Sequence, residues 1–300
     1  MFGTIALTSI YSLSVLIPPA PDPDAYKNES PAHRVRLPRY FIARYPVTVG
    51  QWRWFYQAAQ SDDRLLTRPG GGPLLELDPL SIERPASAPV VGVSWYDAMA
   101  YCAWLTDRLS DRVTTPEPLR TLLCKGDAAD DGRPWVVTLP SEAEWEKAAR
   151  GQQGARRYPW GSRWNSNRAN GASPSHGCLG GVSAVGAFGG GASQRGAEEL
   201  SGNIVEWTRS VAPHGPSFLG AYYPYEPDYA GASRENVRAG RDIHRLVRGG
   251  AFSDDPGYLR AACRIYGALP DTRNFGGVGF RVVVSPFNAL DPLISAHSEL

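Results

Sequence analysis

The sequence predicts an α+β domain, on three observations. Only three segments carry helix-start signals, the other apolar runs are short enough to be strands, and 32 glycines and 26 prolines punctuate what lies between them. A hydrophobic fraction of 42% against 20% charged residues supplies enough apolar material for a buried core. No internal repeat or low-complexity tract divides the chain. One domain is expected over residues 10–285, with residues 286–300 as a C-terminal tail.

In chain order, Ser12-Leu-Ser-Val-Leu-Ile-Pro18 alternates in the manner of a strand. Thr48-Val-Gly-Gln51 is a capping box, in which hydroxyl and amide side chains satisfy each other's free backbone N–H groups; it opens a helix carrying Trp52, Phe55 and Tyr56. Val90-Val-Gly-Val93 reads as a short strand, and Ser94-Trp-Tyr-Asp97 opens a second helix through about Leu109, with Ala98, Cys102 and Leu105 on one face. Val136-Val-Thr-Leu139 is the next strand. Ser141-Glu-Ala-Glu144 then opens a third helix, with Gly151 placed to stop it. Phe280-Arg-Val-Val-Val284 is a last strand, and residues 61–88 and 210–243, rich in Pro, Gly and charge, read as surface insertions.

A net charge of +1 gives no bulk field for nucleic acid or an anionic membrane, so neither is expected as a partner. The apolar run from Ile5 to Ile17 lacks a basic flank and falls short of the roughly 18 apolar residues of a membrane span, so a cytoplasmic chain is expected. Cys102, Cys124, Cys178 and Cys263 form no CxxC pair and read mostly as buried thiols. His33, His176, His214, His244 and His297 are scattered without the paired spacing of an iron site.

Six segments then fall in one order: Tyr40-Phe-Ile-Ala-Arg-Tyr-Pro-Val-Thr48, Pro89-Val-Val-Gly-Val-Ser-Trp-Tyr-Asp-Ala98, Leu139-Pro-Ser-Glu-Ala-Glu-Trp-Glu-Lys-Ala-Ala-Arg-Gly151, Tyr158-Pro-Trp-Gly161, Leu200-Ser-Gly-Asn-Ile-Val-Glu-Trp207 and Arg248-Gly-Gly250. Together they resemble the formylglycine-generating enzyme (sulfatase-modifying factor) family over residues 15–283. The resemblance implies a C-type-lectin-like α+β fold with few helices, short strands and long ordered loops. In the oxidase members, two cysteines placed two and seven residues after the aromatic that follows the Arg-Gly-Gly segment bind copper. Counted from Phe252, those positions hold Asp254 and Leu259 here. A carboxylate is a hard, poor ligand for cuprous ion and leucine is none, so the resemblance implies a member without the oxidase chemistry and with no required cofactor. The alternative is a formylglycine-generating type oxidase or a related metal-dependent oxygenase. Asn203 and Glu206 match a segment that binds calcium in some members, which implies a structural calcium site.

The fold and C-terminal segment also resemble the variable proteins of diversity-generating retroelements, whose adenine-directed diversification excludes Lys, Glu, Gln, Met and Trp. Ser253, Asp254, Asp255, Gly257, Tyr258, Cys263, Ile265, Tyr266, Gly267, Ala268, Asp271, Thr272, Phe275, Gly276 and Gly277 all avoid those types. The resemblance implies a surface over residues 253–277 that binds a protein or small-molecule ligand. Tyr258, Tyr266 and Phe275 would be its rigid aromatic contacts, with Ser, Asp and Gly as adaptable ones.

Overall fold

The computed structural model describes residues 7–10, 15–16, 24–29, 34–35, 37–68, 75–127, 135–151, 156–172, 179–212, 234–264, 267–273 and 277–287. Helices α1 (Val49–Ala59), α2 (Trp95–Asp111), α3 (Glu117–Lys125) and α4 (Glu142–Arg150) are combined with short strands, as the α+β reading requires. The three capping boxes form. Thr48 Oγ1 accepts from Gln51 N at 3.3 Å while Gln51 Oε1 accepts from Thr48 N at 3.0 Å, and the pairs Ser94/Asp97 and Ser141/Glu144 repeat the exchange. Gly151 ends α4 at φ +73°, donating to Lys147 O.

Two expectations need correction. Helix α3 was not anticipated, because it has no side-chain cap and opens on Pro116 and Pro118 instead. Val90 to Val93 is not a strand: Gly92 turns at φ +77°, and the segment is tied by single bonds, Val90 N to Val47 O at 2.8 Å and Gly92 N to Val278 O at 3.0 Å. The insertion at residues 61–88 is also less superficial than its composition suggests. Ser81 is buried and its Oγ accepts from Trp52 Nε1 at 2.8 Å, which satisfies an indole that α1 carries into the core.

Four strands form an antiparallel sheet in the order β1 (Leu7–Ile10), β4 (Tyr40–Ala43), β10 (Val283–Ser285) and β5 (Val136–Thr138). A second sheet runs β8 (Gly267–Ala268), β7 (Arg245–Arg248), β6 (Val205–Val211) and β9 (Val278–Gly279), with β6 and β9 parallel. Strands β2 (Val15–Leu16) and β3 (Arg34–Val35) pair separately. The C-terminal segment therefore leaves β7 and returns through β8, β9 and β10, held by one sheet and then the other. Trp52, Phe55, Tyr101, Trp104 and Phe280 pack with ring centroids 5.0 to 6.0 Å apart, in the range of favourable offset and edge contacts. No helix among the described residues is long and apolar enough to cross a membrane.

Candidate functional site

The C-terminal segment begins at a turn that only glycine fits. Gly249 and Gly250 lie at φ +98° and +70°, and a Cβ on Gly250 would come within 2.5 Å of Leu259 Cδ2. The chain then folds on itself: Asp254 N donates to Ala251 O at 3.0 Å and Asp254 Oδ2 accepts from Ala251 N at 2.8 Å. The Asp254 carboxylate thus closes its own turn, a local role that aspartate suits through its short side chain. Leu259 is fully buried against Gly171, Gly202 and Gly250; a Cβ on Gly171 would lie 2.3 Å from its Cδ1.

Three arginines fasten the next stretch. Buried Arg248 donates to the carbonyls of Ala261, Ala262 and Cys263 and pairs with Glu146 at 2.5 Å. Arg260 makes a two-point pair with Glu29 at 2.7 Å, and Arg264 pairs with Glu142. Asn28 and Arg264 exchange side-chain to backbone bonds at 2.7 Å, and Tyr26 stacks on Tyr258 with centroids 6.1 Å apart. Residues 24–29 therefore flank the C-terminal surface, a contact that no local sequence signal announces.

Beyond β8, Thr272 N donates to Leu269 O at 2.9 Å, and Pro270 O accepts from Trp95 N at 3.0 Å, which seats this turn on the start of α2. Asp271 bridges Arg68 and Arg241.

The predicted surface divides by exposure. Ser253 and Asp255 are exposed, while Asp254, Gly257, Tyr258, Gly267, Asp271, Thr272 and Gly277 are half-buried. Cys263 and Ala268 are buried at 6% and 5% exposure, so these two cannot present side chains to a ligand in this conformation. Their burial has a local cause: Cys263 lies beneath the loop that Arg248 holds, and Ala268 pairs with Arg245 in β8. Ile265, Tyr266, Phe275 and Gly276 lie outside the described residues. Leu269, which the sequence did not single out, is exposed at 41%. Cys124 is exposed rather than buried, Cys102 is buried, and Cys178 lies outside the described residues, as do all the histidines but His244.

Asn203 and Glu206 are each engaged by other protein groups. Trp145 Nε1 and Arg281 Nε donate to Glu206 Oε2 at 2.8 and 2.7 Å, and Arg281 Nη2 to Oε1 at 2.7 Å, so its charge is already matched by a guanidinium. Asn203, at φ +68°, accepts on Oδ1 from Asn170 Nδ2 and from the Ser183 amide and hydroxyl. The carboxylate that does face Asn203 is Glu199, which accepts from Gly186 N at 2.8 Å and from Asn203 Nδ2 at 3.3 Å. Burial pushes its pKa up to about 7 against the pull of those donors and of Arg281. Asn170 Oδ1 is buried nearby without a hydrogen-bond partner. Among the described residues, no three His, Cys, Asp and Glu side chains are arranged to hold a metal ion.

Known proteins resemble this chain in sequence and in fold. Residues 13–286 match the sulfatase-modifying factor enzyme 1-like domain. The chain is 30% identical over 288 residues to hercynine oxygenase of Mycobacterium tuberculosis, covering 86% of this chain and 56% of that protein. It is 31% identical over 215 residues to the inactive C-alpha-formylglycine-generating enzyme 2 of Mus musculus, covering 68% of this chain and 51% of that one. It thus spans little more than half the length of these curated relatives. Among solved structures, Treponema denticola variable protein 1 superposes with a TM-score of 0.60 at 20% identity, over 92% of this chain and 94% of that one. The family match covers nearly the whole chain, and the chain belongs to the sulfatase-modifying factor (formylglycine-generating enzyme-like) family.

Proposed function

We propose that this chain is a recognition domain, which binds a protein or small-molecule ligand through the surface of residues 253–277 and does not carry out thiol oxidation. The observation that carries this reading is the fate of the two cysteine positions. Asp254 spends its carboxylate on its own turn, and Leu259 fills a close-packed space between glycines, so neither position offers a soft ligand or room for one. Around them, Ser253 and Asp255 are exposed and Tyr258 is half-buried on a loop that Arg248, Arg260 and Arg264 fasten, an economical arrangement for recognition because little order is lost on binding. The likeness in fold to a variable protein agrees with a surface whose residues are rewritten while its scaffold stays fixed. Cytoplasmic location belongs to the same reading.

A second reading is favoured by the 30% identity to hercynine oxygenase: the chain as part of a metal-dependent oxygenase. One assay separates the two. Oxygen consumption is followed with a Cys-containing peptide and the full chain supplied with cuprous or ferrous ion. The recognition reading expects consumption no faster than the metal alone, and turnover with either ion sinks it. Diversification is tested in the gene itself. AAC-type codons at residues 253–277, with a nearby near-repeat differing at adenines, are expected if the surface is rewritten; their absence leaves a fixed binding domain.

A further inference from the structure

Beside the surface of residues 253–277, two pairs of stacked rings lie close together. Tyr26 stacks on Tyr258 with centroids 6.1 Å apart and planes 14° from parallel, and Trp160 stacks on Tyr158 at 5.3 Å and 7°. Trp164 meets both rings of the second pair, at 5.5 and 5.8 Å. Tyr158 is buried, whereas Tyr26, Tyr258, Trp160 and Trp164 are half-buried, so each keeps part of its surface in solvent. Rings gathered in this way offer a ligand apolar area that folding has not covered.

Hydrogen bonds and packing join the two pairs into one ledge. Tyr158 Oη donates to Pro256 O at 3.0 Å, Ala261 N to Arg157 O at 2.8 Å and Ala172 N to Asp254 O at 3.0 Å. Trp160 Nε1 donates to Arg163 O at 3.0 Å, which fixes the indole in place. A Cβ on Gly171 would lie 3.2 Å from the Trp164 ring and 2.3 Å from Leu259 Cδ1, so the indole and the C-terminal turn pack on the same glycine. Arg157 pairs with Asp24, which ties residues 24–26 to the segment that carries the two tryptophans.

The charges decide what such a ledge takes. Arg260 lies over the Tyr26 ring at 5.3 Å and Arg157 over the Tyr158 ring at 6.0 Å, so two of the rings already face a guanidinium and a further cation is repelled. Each of those guanidiniums is answered by a carboxylate, Arg260 by Glu29 and Arg157 by Asp24, and the exposed Asp255 stands nearby, so an anion gains nothing either. A neutral ligand remains. Asp24 and Asp255 are exposed acceptors, which call for hydroxyl donors on it, while the rings call for C–H faces.

We propose that Tyr26, Tyr258, Trp160 and Trp164, with Asp24 and Asp255, form a ledge that binds a neutral saccharide. A pyranose ring carries both features at once, an apolar C–H face and a rim of hydroxyls. A proline-rich peptide would stack as well, yet it has no donors for the carboxylates. The proposal rests on the recognition reading above, since Asp255 and Tyr258 belong to that surface.

The test is saturation-transfer NMR on the full chain, with the aromatic protons irradiated. The probes are neutral hexasaccharides of glucose, of N-acetylglucosamine and of mannose, each offered separately, and a hexaproline peptide for comparison. Transfer to sugar C–H protons that saturates with at least one of the three is expected. Raising sodium chloride from about 50 to about 500 mM leaves half-saturation unmoved, because the ligand carries no charge to screen. Trp160→Ala raises half-saturation by about tenfold, and Trp160→Phe, which keeps a ring, by about threefold. Asp255→Ala removes an exposed acceptor without disturbing the fold and raises it by about threefold. Urea midpoints separate a lost contact from a lost fold; where Trp160→Ala also unfolds more easily, Trp160→Phe and Asp255→Ala carry the result. No saturable transfer with any of the three sugars, a half-saturation unmoved in all three variants, or transfer to hexaproline alone would each overturn the saccharide ledge. The recognition reading fails separately: turnover in the oxygen assay removes it even with the sugar signals intact, and missing sugar signals without turnover remove the saccharide alone.

Discussion

Leu259 and Asp254 sit a few residues apart in one turn, yet they resist substitution for different reasons, and the contrast extends to the whole C-terminal surface. Leu259 is packed by glycines on several sides, so Leu259→Ala opens a cavity and costs about 2 to 5 kcal/mol. Asp254→Ala loses one local hydrogen bond and costs about 1 kcal/mol. At the exposed positions the effect on folding vanishes: Ser253→Ala and Asp255→Ala stay within about 0.5 kcal/mol of the native chain. At the buried ones it grows, since Ala268→Tyr forces a ring into a closed strand pairing and costs about 3 kcal/mol or more. Urea denaturation of these five variants checks the order. If Ala268→Tyr were as harmless as Asp255→Ala, β8 would be open to solvent and Ala268 would return to the proposed binding surface. The sequence could not draw this distinction, because residue types compatible with diversification say nothing of which side chains face inward.

Helix α4 shows what an element's own sequence does and does not disclose. Its cap and its stop were legible, because Ser141, Glu144 and Gly151 act on backbone groups within a turn of themselves. That Glu142, Glu144 and Glu146 all point inward was not, since a row of glutamates ordinarily reads as a solvated face. Glu146 pairs within the helix with Arg150, but the other partners are far off in sequence: Arg209 for Glu144, Arg248 for Glu146, Arg264 and Arg234 for Glu142. Burial is the largest influence on Glu142 and pushes its pKa up, but Arg264, Arg248 and Arg234 together outweigh it and hold the group at about 2. The folded pKa lies below the ordinary 4.5, so the stabilisation is present above pH 4.5 and is lost as pH falls toward 2, to the extent of roughly 3 kcal/mol. Glu142→Gln leaves Arg264 buried without its charge partner and costs about 3 to 5 kcal/mol at neutral pH. The same variant also loses the acid-dependent part of the profile. Urea midpoints at pH 3 and pH 6 measure both effects, and a variant as acid-sensitive as the native chain would show that Glu142 is not the titrating group.

At the scale of the whole molecule, the order of the family segments made the fold legible, while the contacts that close it were not. Asn28 and Arg264 meet across 236 positions, and Arg281 reaches back to Ala43, Arg44, Glu198 and Glu199, pairings that no local pattern encodes. The same closure buries carboxylates beyond those of α4, and it sets how the molecule responds to pH. Burial is the first cause raising the pKa of Asp97, Glu199 and Glu235, although Arg273, Gly186 and Arg209 respectively pull the other way. For Glu199 the folded value of about 7 lies above the ordinary 4.5. Its contribution to stability is therefore complete below pH 4.5, declines as pH rises and is gone above about 7, a loss of roughly 3 kcal/mol. Asp97 and Glu235 add to the decline in the same sense. Stability should thus be highest in mildly acidic solution and fall toward neutrality, which urea midpoints between pH 4.5 and 8 would reveal. Calcium chloride in the same series distinguishes two causes. A hard cation drawn to the Glu199 carboxylate and Asn170 Oδ1 favours the charged form, so it would lift the midpoints at neutral pH and flatten the decline. A decline unchanged by calcium leaves Glu199 as a buried acid held by Gly186 and Asn203, and midpoints that rise steadily toward pH 8 would contradict the assignment of all three groups.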